Sequence, residues 1–227
     1  MMDITFFSSP IGLGHATRDL AIISHLQKLN TKFVTGNYAA KFLKQSGFDV
    51  DDVYKPPQFI VKNGRLQNSL KWLWRYYKYY KDCKNICSQI IKKEKPKIIV
   101  SDEDFASLAI AQKQNLPSIL ITDILETRFI RGFSSIIEKK MNQTMRDIMK
   151  KCDVVILPEE GTDQGNIRRV GPIVRETNFS REELRKKLSF NKKTIVVSVG
   201  STDIGKFLIE ITLETSIMNN DVELVIV

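Results

Sequence analysis

Short apolar runs alternate with helical stretches along most of this 227-residue chain. Residues 4–7, 32–35, 49–54, 97–100, 118–122 and 154–157 read as strands, and most of them are apolar without interruption. Strands of that kind belong in a sheet covered on both faces, and strand–helix alternation makes the sheet parallel. Residues 15–29, 38–45, 66–93, 105–114 and 129–151 read as the intervening helices. In the first of them Ile22, Leu26 and Leu29 share one stripe, with His25 at its edge. Residues 55–64 read as a loop, broken by Pro56-Pro57 and Asn63-Gly64.

A chain of this length holds one large domain, or one domain and part of another. Residues 159–171 are polar, and Val170-Gly171-Pro172-Ile173 reads as a crossing between domains. Beyond it Ser180 and Glu183 form a capping box for a helix at 181–188. A strand at 194–199, a helix at 206–218 and a strand at 223–227 then make about one βαβ unit. The expected organisation is a complete Rossmann-like domain over residues 1–170, a crossing at 171–190 and the incomplete start of a second α/β domain at 191–227.

Residues 4–21, ITFFSSPIGLGHATRDLA, run from strand through a small-residue loop into a helix. Gly12 and Gly14 let the backbone turn sharply and a ligand approach. The helix start adds free N–H groups and the positive end of a dipole. That dipole disfavours an imidazolium, so His15 is expected to stay neutral near pH 7 and to accept a proton. Thr17 stands where a dinucleotide fingerprint has its third glycine, which argues against a plain NAD site. Parallel sheets bind ligands beyond the carboxyl ends of their strands. Asp102, just after the strand at 97–100, is therefore expected to share a crevice with His15. A carboxylate on one imidazole nitrogen fixes the tautomer and stabilises the imidazolium formed on proton abstraction. Glu103 and Asp104 are alternative partners, and Asp104 could equally cap the next helix.

The string SSPIGLGHATRDLAI resembles the first loop of the GT-B glycosyltransferases, in particular the murein-type N-acetylglucosaminyltransferases of glycosyltransferase family 28 and their archaeal relatives. The string VSDEDFASLAIA is similar to a Ser-Asp…Ala segment of those archaeal relatives. The resemblance spans nearly the whole chain. It implies a GT-B type α/β fold, with one Rossmann-like acceptor-side domain and the start of a nucleotide-sugar-binding domain. It implies hexosyltransferase-type transfer from a nucleotide-diphosphate-sugar, such as a UDP-sugar, to the hydroxyl of a lipid-linked or glycan acceptor. His15 is then the base, Asp102 its orienting partner, and Gly12, Gly14 and Arg18 the acceptor or phosphate loop. Gly200, Ser201 and Thr202 match the turn that meets the donor diphosphate, with Val199 in place of its first glycine. The nucleotide-sugar is a substrate; no cofactor or metal is implied.

Where some relatives carry another histidine, this chain reads Thr122-Asp123-Ile124-Leu125-Glu126. Most groups that grip the nucleotide in relatives lie further along the donor domain. The chain is therefore expected to transfer little sugar alone, and to be truncated or to need a second chain that completes that domain. A nucleotide-sugar epimerase of the same design and a non-catalytic membrane-binding adaptor are the alternatives.

The formal net charge is +9, with the basic excess concentrated between Arg65 and Lys97, which favours an anionic partner. On the long helix, Trp72, Tyr76, Tyr79, Cys83, Ile86 and Ile90 form one stripe suited to a core. Leu70, Trp74 and Tyr77 fall opposite it, among Lys71, Lys78, Lys81 and Lys84. Trp and Tyr beside Lys suit a membrane interface, where each basic residue contributes about 1 kcal/mol near an anionic leaflet. Trp74, Tyr77, Lys78 and Lys81 are the expected membrane contact, in keeping with the peripheral membrane attachment of murein-type transferases. Proteins that stack nucleic-acid bases present their rings on sheet platforms rather than helices, so nucleic acid is not expected.

Residues 200–206 match G-x-x-x-x-G-K, but Phe207 cannot ligate magnesium, which argues against an NTPase. No apolar run reaches the roughly 18 residues of a spanning helix, and no leader is read at the N-terminus. The three cysteines form no CxxC pair, and two histidines argue against a zinc site. The expected location is cytoplasmic, peripheral on the inner face of the membrane.

Overall fold

The computed structural model describes residues 2–26, 28–58, 61–62, 65–128, 135–198, 206–216 and 221–226. The chain begins with β1 (Ile4–Ser8), α1 (Gly14–Ile23), β2 (Thr31–Thr35), α2 (Asn37–Gln45) and β3 (Val50–Asp52). It continues through β4 (Val61–Lys62), β5 (Arg65–Leu66), α3 (Ser69–Glu94), β6 (Ile98–Asp102), α4 (Phe105–Lys113) and β7 (Ser118–Ile121). Then follow α5 (Ser135–Met149), β8 (Val154–Leu157), β9 (Ile167–Arg169), α6 (Arg181–Lys187), β10 (Lys193–Val197), α7 (Lys206–Ser216) and β11 (Val222–Ile226). Two compact units result: Met1–Gln58 with Asn68–Val174, and Phe59–Gln67 with Arg175–Val227.

The first unit holds a seven-stranded sheet in the order β3-β2-β1-β6-β7-β8-β9, and every neighbouring pair is parallel. Phe6 and Phe7 show why the sheet needs cover on both sides. As neighbours on one strand they point to opposite faces, and both are fully buried. Phe6 stacks on Phe33 at 5.0 Å between ring centroids and packs with Ala16, Ile23 and Leu43. Phe7 packs with Cys87, Ile91, Ala106 and Ala111 on the other face. Burial of each ring contributes about 1.5–3 kcal/mol relative to exposure. A third cluster, including Leu108, Leu120, Met145 and Val155, joins α5 to the β7–β8 side. At the end of β2, a Cβ on Gly36 would stand 1.9 Å from the Tyr54 carbonyl oxygen, so the chain can pass there only as glycine.

The structure departs from the sequence reading in several places. The helix expected over 15–29 ends at Ile23. There the Ser24 hydroxyl donates to the Ala21 carbonyl at 2.6 Å, and the amides of His25 and Leu26 bond i−3 carbonyls, which tightens and ends the helix. The loop expected over 55–64 contains β4, which pairs with β5 antiparallel. The polar stretch 159–171 contains β9, an edge strand with one apolar residue among three; edges tolerate such charge. Ser101 and Asp102 belong to β6 rather than to the turn after it. The beginning of the helix expected from residue 129 lies outside the described residues.

The second unit holds α6, whose capping box is formed, with Ser180 Oγ accepting from the Glu183 amide at 3.2 Å and Glu183 Oε2 accepting from the Ser180 amide at 2.7 Å. In it β10 and β11 pair in parallel from Lys193↔Val222 to Val197↔Ile226. Ile195 and Val196 face opposite sides of β10, yet both are exposed. Parallel sheets are ordinarily covered on both faces. Among the described residues, no helix is long and apolar enough to cross a membrane.

Candidate active site

The strand order of the first unit reverses between β1 and β6, and the carboxyl ends of two such strands make the crevice where open sheets bind ligands. The register places Ser8, the last residue of β1, beside Asp102, the last of β6. From Ser8 the chain turns through Gly12, at φ +79°, into α1 at Gly14. No side-chain hydrogen bond caps this helix at Leu13. A cleft of about 320 Å³ lies there, lined by Ile11, Gly14, His15, Arg18, Asp123 and Pro172 among others, all from the first unit.

Two turns of chemistry meet in that cleft. His15 Nδ1 lies 2.8 Å from Asp102 Oδ1, and Asp102 is fully buried. Arg18, one helical turn on from His15, grips the same carboxylate through Nε to Oδ2 at 2.9 Å and Nη2 to Oδ1 at 2.5 Å. Its Nη1 donates to the carboxylate of Asp123. The sequence reading put Arg18 on a phosphate loop. Its guanidinium lines the cleft and, only 9% exposed, is directed at two carboxylates.

The three consecutive acids after β6 separate by position. Asp102 holds Nδ1 of His15. Glu103, at φ +58°, places Oε2 3.8 Å from His15 Nε2. Its Oε1 accepts from the Thr122 hydroxyl and from the Asp123 amide, both at 3.0 Å. Asp104 caps α4, accepting from the amides of Ala106 and Ser107 at 3.2 Å, and accepts from the Tyr54 hydroxyl at 2.8 Å.

The electrostatics correct one expectation. Burial works against the imidazolium of His15, but the hydrogen bond and charge of Asp102, with Glu103 adding to them, outweigh it and raise the His15 pKa. Burial likewise opposes the Asp102 carboxylate, but His15 and Arg18 hold its pKa below the ordinary range. Asp19, fully buried on α1, accepts a hydrogen bond from Ser8. Burial and the nearby Asp102 charge push its pKa well up. Asp19 was not singled out in the sequence, and Asp123 was named there only within the segment that stands where some relatives carry a histidine.

Gly12 and Gly14 sit at the loop and helix start as expected, and a Cβ on Gly14 would meet nothing within 4 Å. Gly200, Ser201 and Thr202 lie outside the described residues. On α3, Trp74 is 69% and Tyr77 50% exposed; Lys71, Lys78 and Lys81 are exposed beside them, and Lys81 Nζ lies 4.7 Å from the Tyr77 ring centroid. The opposite stripe buries Trp72, Cys83 and Ile90. All three cysteines are free and buried. Among the described residues, no group of His, Cys, Asp and Glu is arranged to hold a metal ion.

Residues 2–153 match the protein family described as Glycosyl transferase family 1. The chain belongs to that family. An uncharacterized glycosyltransferase of Methanopyrus kandleri is 24% identical to this family 1 chain over 138 residues, which are 56% of the chain and 39% of the relative. The chain thus spans well under half of that relative's length. Among solved structures, the glycotransferase of kitacinnamycin superposes with a TM-score of 0.67 at 14% identity, over 99% of this chain and 65% of that one. MurG of Acinetobacter baumannii superposes with a TM-score of 0.51 at 12% identity, over 99% of this chain and 67% of its own. The fold is the GT-B fold of such glycosyltransferases.

Proposed function

We propose that this family 1 chain carries the acceptor side of a hexosyltransferase, which moves a sugar from a nucleotide-diphosphate-sugar, such as a UDP-sugar, to an acceptor hydroxyl. The 2.8 Å contact between His15 and a buried Asp102, at the mouth of the switch-point cleft, carries this reading. With Nδ1–H donated to Asp102, the lone pair of Nε2 is free to receive the acceptor's O–H. As that oxygen attacks the anomeric carbon, the proton passes to Nε2. The bond from sugar to diphosphate breaks with inversion, and the nucleoside diphosphate leaves with the electron pair. Asp102 stabilises the imidazolium that results. Gly200, Ser201 and Thr202 are proposed to meet the diphosphate.

The reaction is followed as nucleoside-diphosphate release by the full-length protein. Release that requires both a nucleotide-sugar and an acceptor alcohol is expected. An epimerised nucleotide-sugar formed without any acceptor would overturn transfer and favour an epimerase. The open apolar surface on both faces of β10 supports a further polypeptide segment, or a second chain, completing the donor side. This chain alone is expected to give little release.

The exposed aromatics of α3 among lysines support a lipid-linked acceptor met at an anionic membrane surface, on the cytoplasmic side. Vesicles with anionic lipid should carry the protein upward on flotation. Changing Trp74→Ser and Tyr77→Ser together should leave most of it at the bottom; undiminished flotation would remove the membrane proposal.

A further inference from the structure

Resting on the transferase reading, we infer that Glu103 selects the acceptor: the reacting end of that acceptor is a neutral vicinal diol, with no phosphate beside it. When His15 donates Nδ1–H to Asp102, its Nε2 is an acceptor. Glu103 Oε2 lies 3.8 Å away, beyond hydrogen-bond distance. Glu103 is held in place, because Oε1 takes the Thr122 hydroxyl and the Asp123 amide. Nε2 of the neutral ring and Glu103 Oε2 are therefore two acceptors 3.8 Å apart. One alcohol O–H has one proton to donate and satisfies only one of them. The other needs a donor of its own, and hydroxyls on adjacent carbons can meet both at once. Charge sets the second half of the inference. Among the described residues that line the cleft, Arg18 is the permanently charged cation, and its Nε, Nη1 and Nη2 are directed at Asp102 and Asp123. A phosphate next to the reacting hydroxyl would meet Asp123, with Glu103 beside His15, and among the described residues that line the cleft no further side-chain cation offsets them.

The chain has two histidines, so the imidazole signals of the ¹⁵N-labelled protein are simple to assign with His25→Gln. The probes are 1,2-cyclohexanediol, as cis and trans isomers, cyclohexanol and inorganic phosphate. At least one diol isomer should move the His15 signals, with cyclohexanol binding roughly tenfold more weakly, the loss of one hydrogen bond to a charged group. Phosphate should leave His15 in place, and Glu103→Ala should erase the preference for the diol. Equal displacement by diol and cyclohexanol, none by either diol, displacement by phosphate, or a preference that survives Glu103→Ala would each overturn the inference. Turnover measured separately with His15→Ala keeps the two readings apart. Lost turnover with no diol preference sinks this inference alone, whereas unchanged turnover sinks the transferase reading.

Discussion

Replacing Arg18 with methionine should cost the first unit about 3–5 kcal/mol, because it strips a buried carboxylate of its cation. Asp102 is fully buried, and it would lose the cation that contacts both of its oxygens. Both tryptophans, Trp72 and Trp74, lie on α3 in the first unit, so urea unfolding followed by tryptophan fluorescence reports on it. The double variant Arg18→Met with Asp102→Asn should recover most of the loss, since removing both ends leaves no uncompensated charge. The pH dependence has a definite sign. The pKa of Asp102 is lowered on folding, so its contribution is full above the ordinary carboxylate value of about 3.9 and is lost as acid carries the pH through the lower folded value. The pKa of His15 is raised, so its contribution is full below about 6.5 and is lost as pH rises through the folded value. Both are present together only between those limits. A penalty under about 1 kcal/mol for Arg18→Met at neutral pH, the size of an exposed pair, would show that the clamp on Asp102 is not structural.

Removing the imidazole should be the larger effect on catalysis. In the full-length protein, His15→Ala should lower kcat by about 10²–10⁴, the usual contribution of a positioned general base. Stability should change far less than in Arg18→Met, because Asp102 keeps its contacts with the Arg18 guanidinium. Only the neutral ring accepts a proton, so kcat/KM of the unmodified protein should rise with pH and level off above the ordinary imidazole range. Nucleoside-diphosphate release rates across pH check both statements, and a rate for His15→Ala within a few-fold of the original would remove the base.

The sheet was legible because β1, β6, β7 and β8 are apolar enough to need cover on both faces. Strand β9 was not, because its Arg168 and Arg169 are tolerated only at an edge, and edge position is a property of the assembled sheet. The meeting of His15 with Asp102 was legible too, since the loop before His15 and Asp102 itself lie at the carboxyl ends of neighbouring strands. Which acid meets which nitrogen was not: Asp102, Glu103 and Asp104 are consecutive, and only the backbone at Glu103 separates them. The contact of Arg18 with Asp102 was not legible, because its spacing from His15 gains meaning only once both meet that carboxylate.

The sign of the His15 shift was missed for a reason of magnitude. A helix N-terminus acts on a nearby charge by about 0.3–1 kcal/mol. A full opposite charge 4 Å away contributes about 4 kcal/mol in a partly buried setting, and Asp102 is closer than that. The residues proposed for the donor diphosphate could not be weighed in this way, because they lie outside the described residues.

The most direct test is an NMR titration of His15 in the intact chain. The account predicts an imidazole that titrates above about 6.5, carries its proton on Nδ1 when neutral, and moves to lower pKa in Asp102→Asn. A ring that titrates at or below that value, or that Asp102→Asn leaves unmoved, would contradict it.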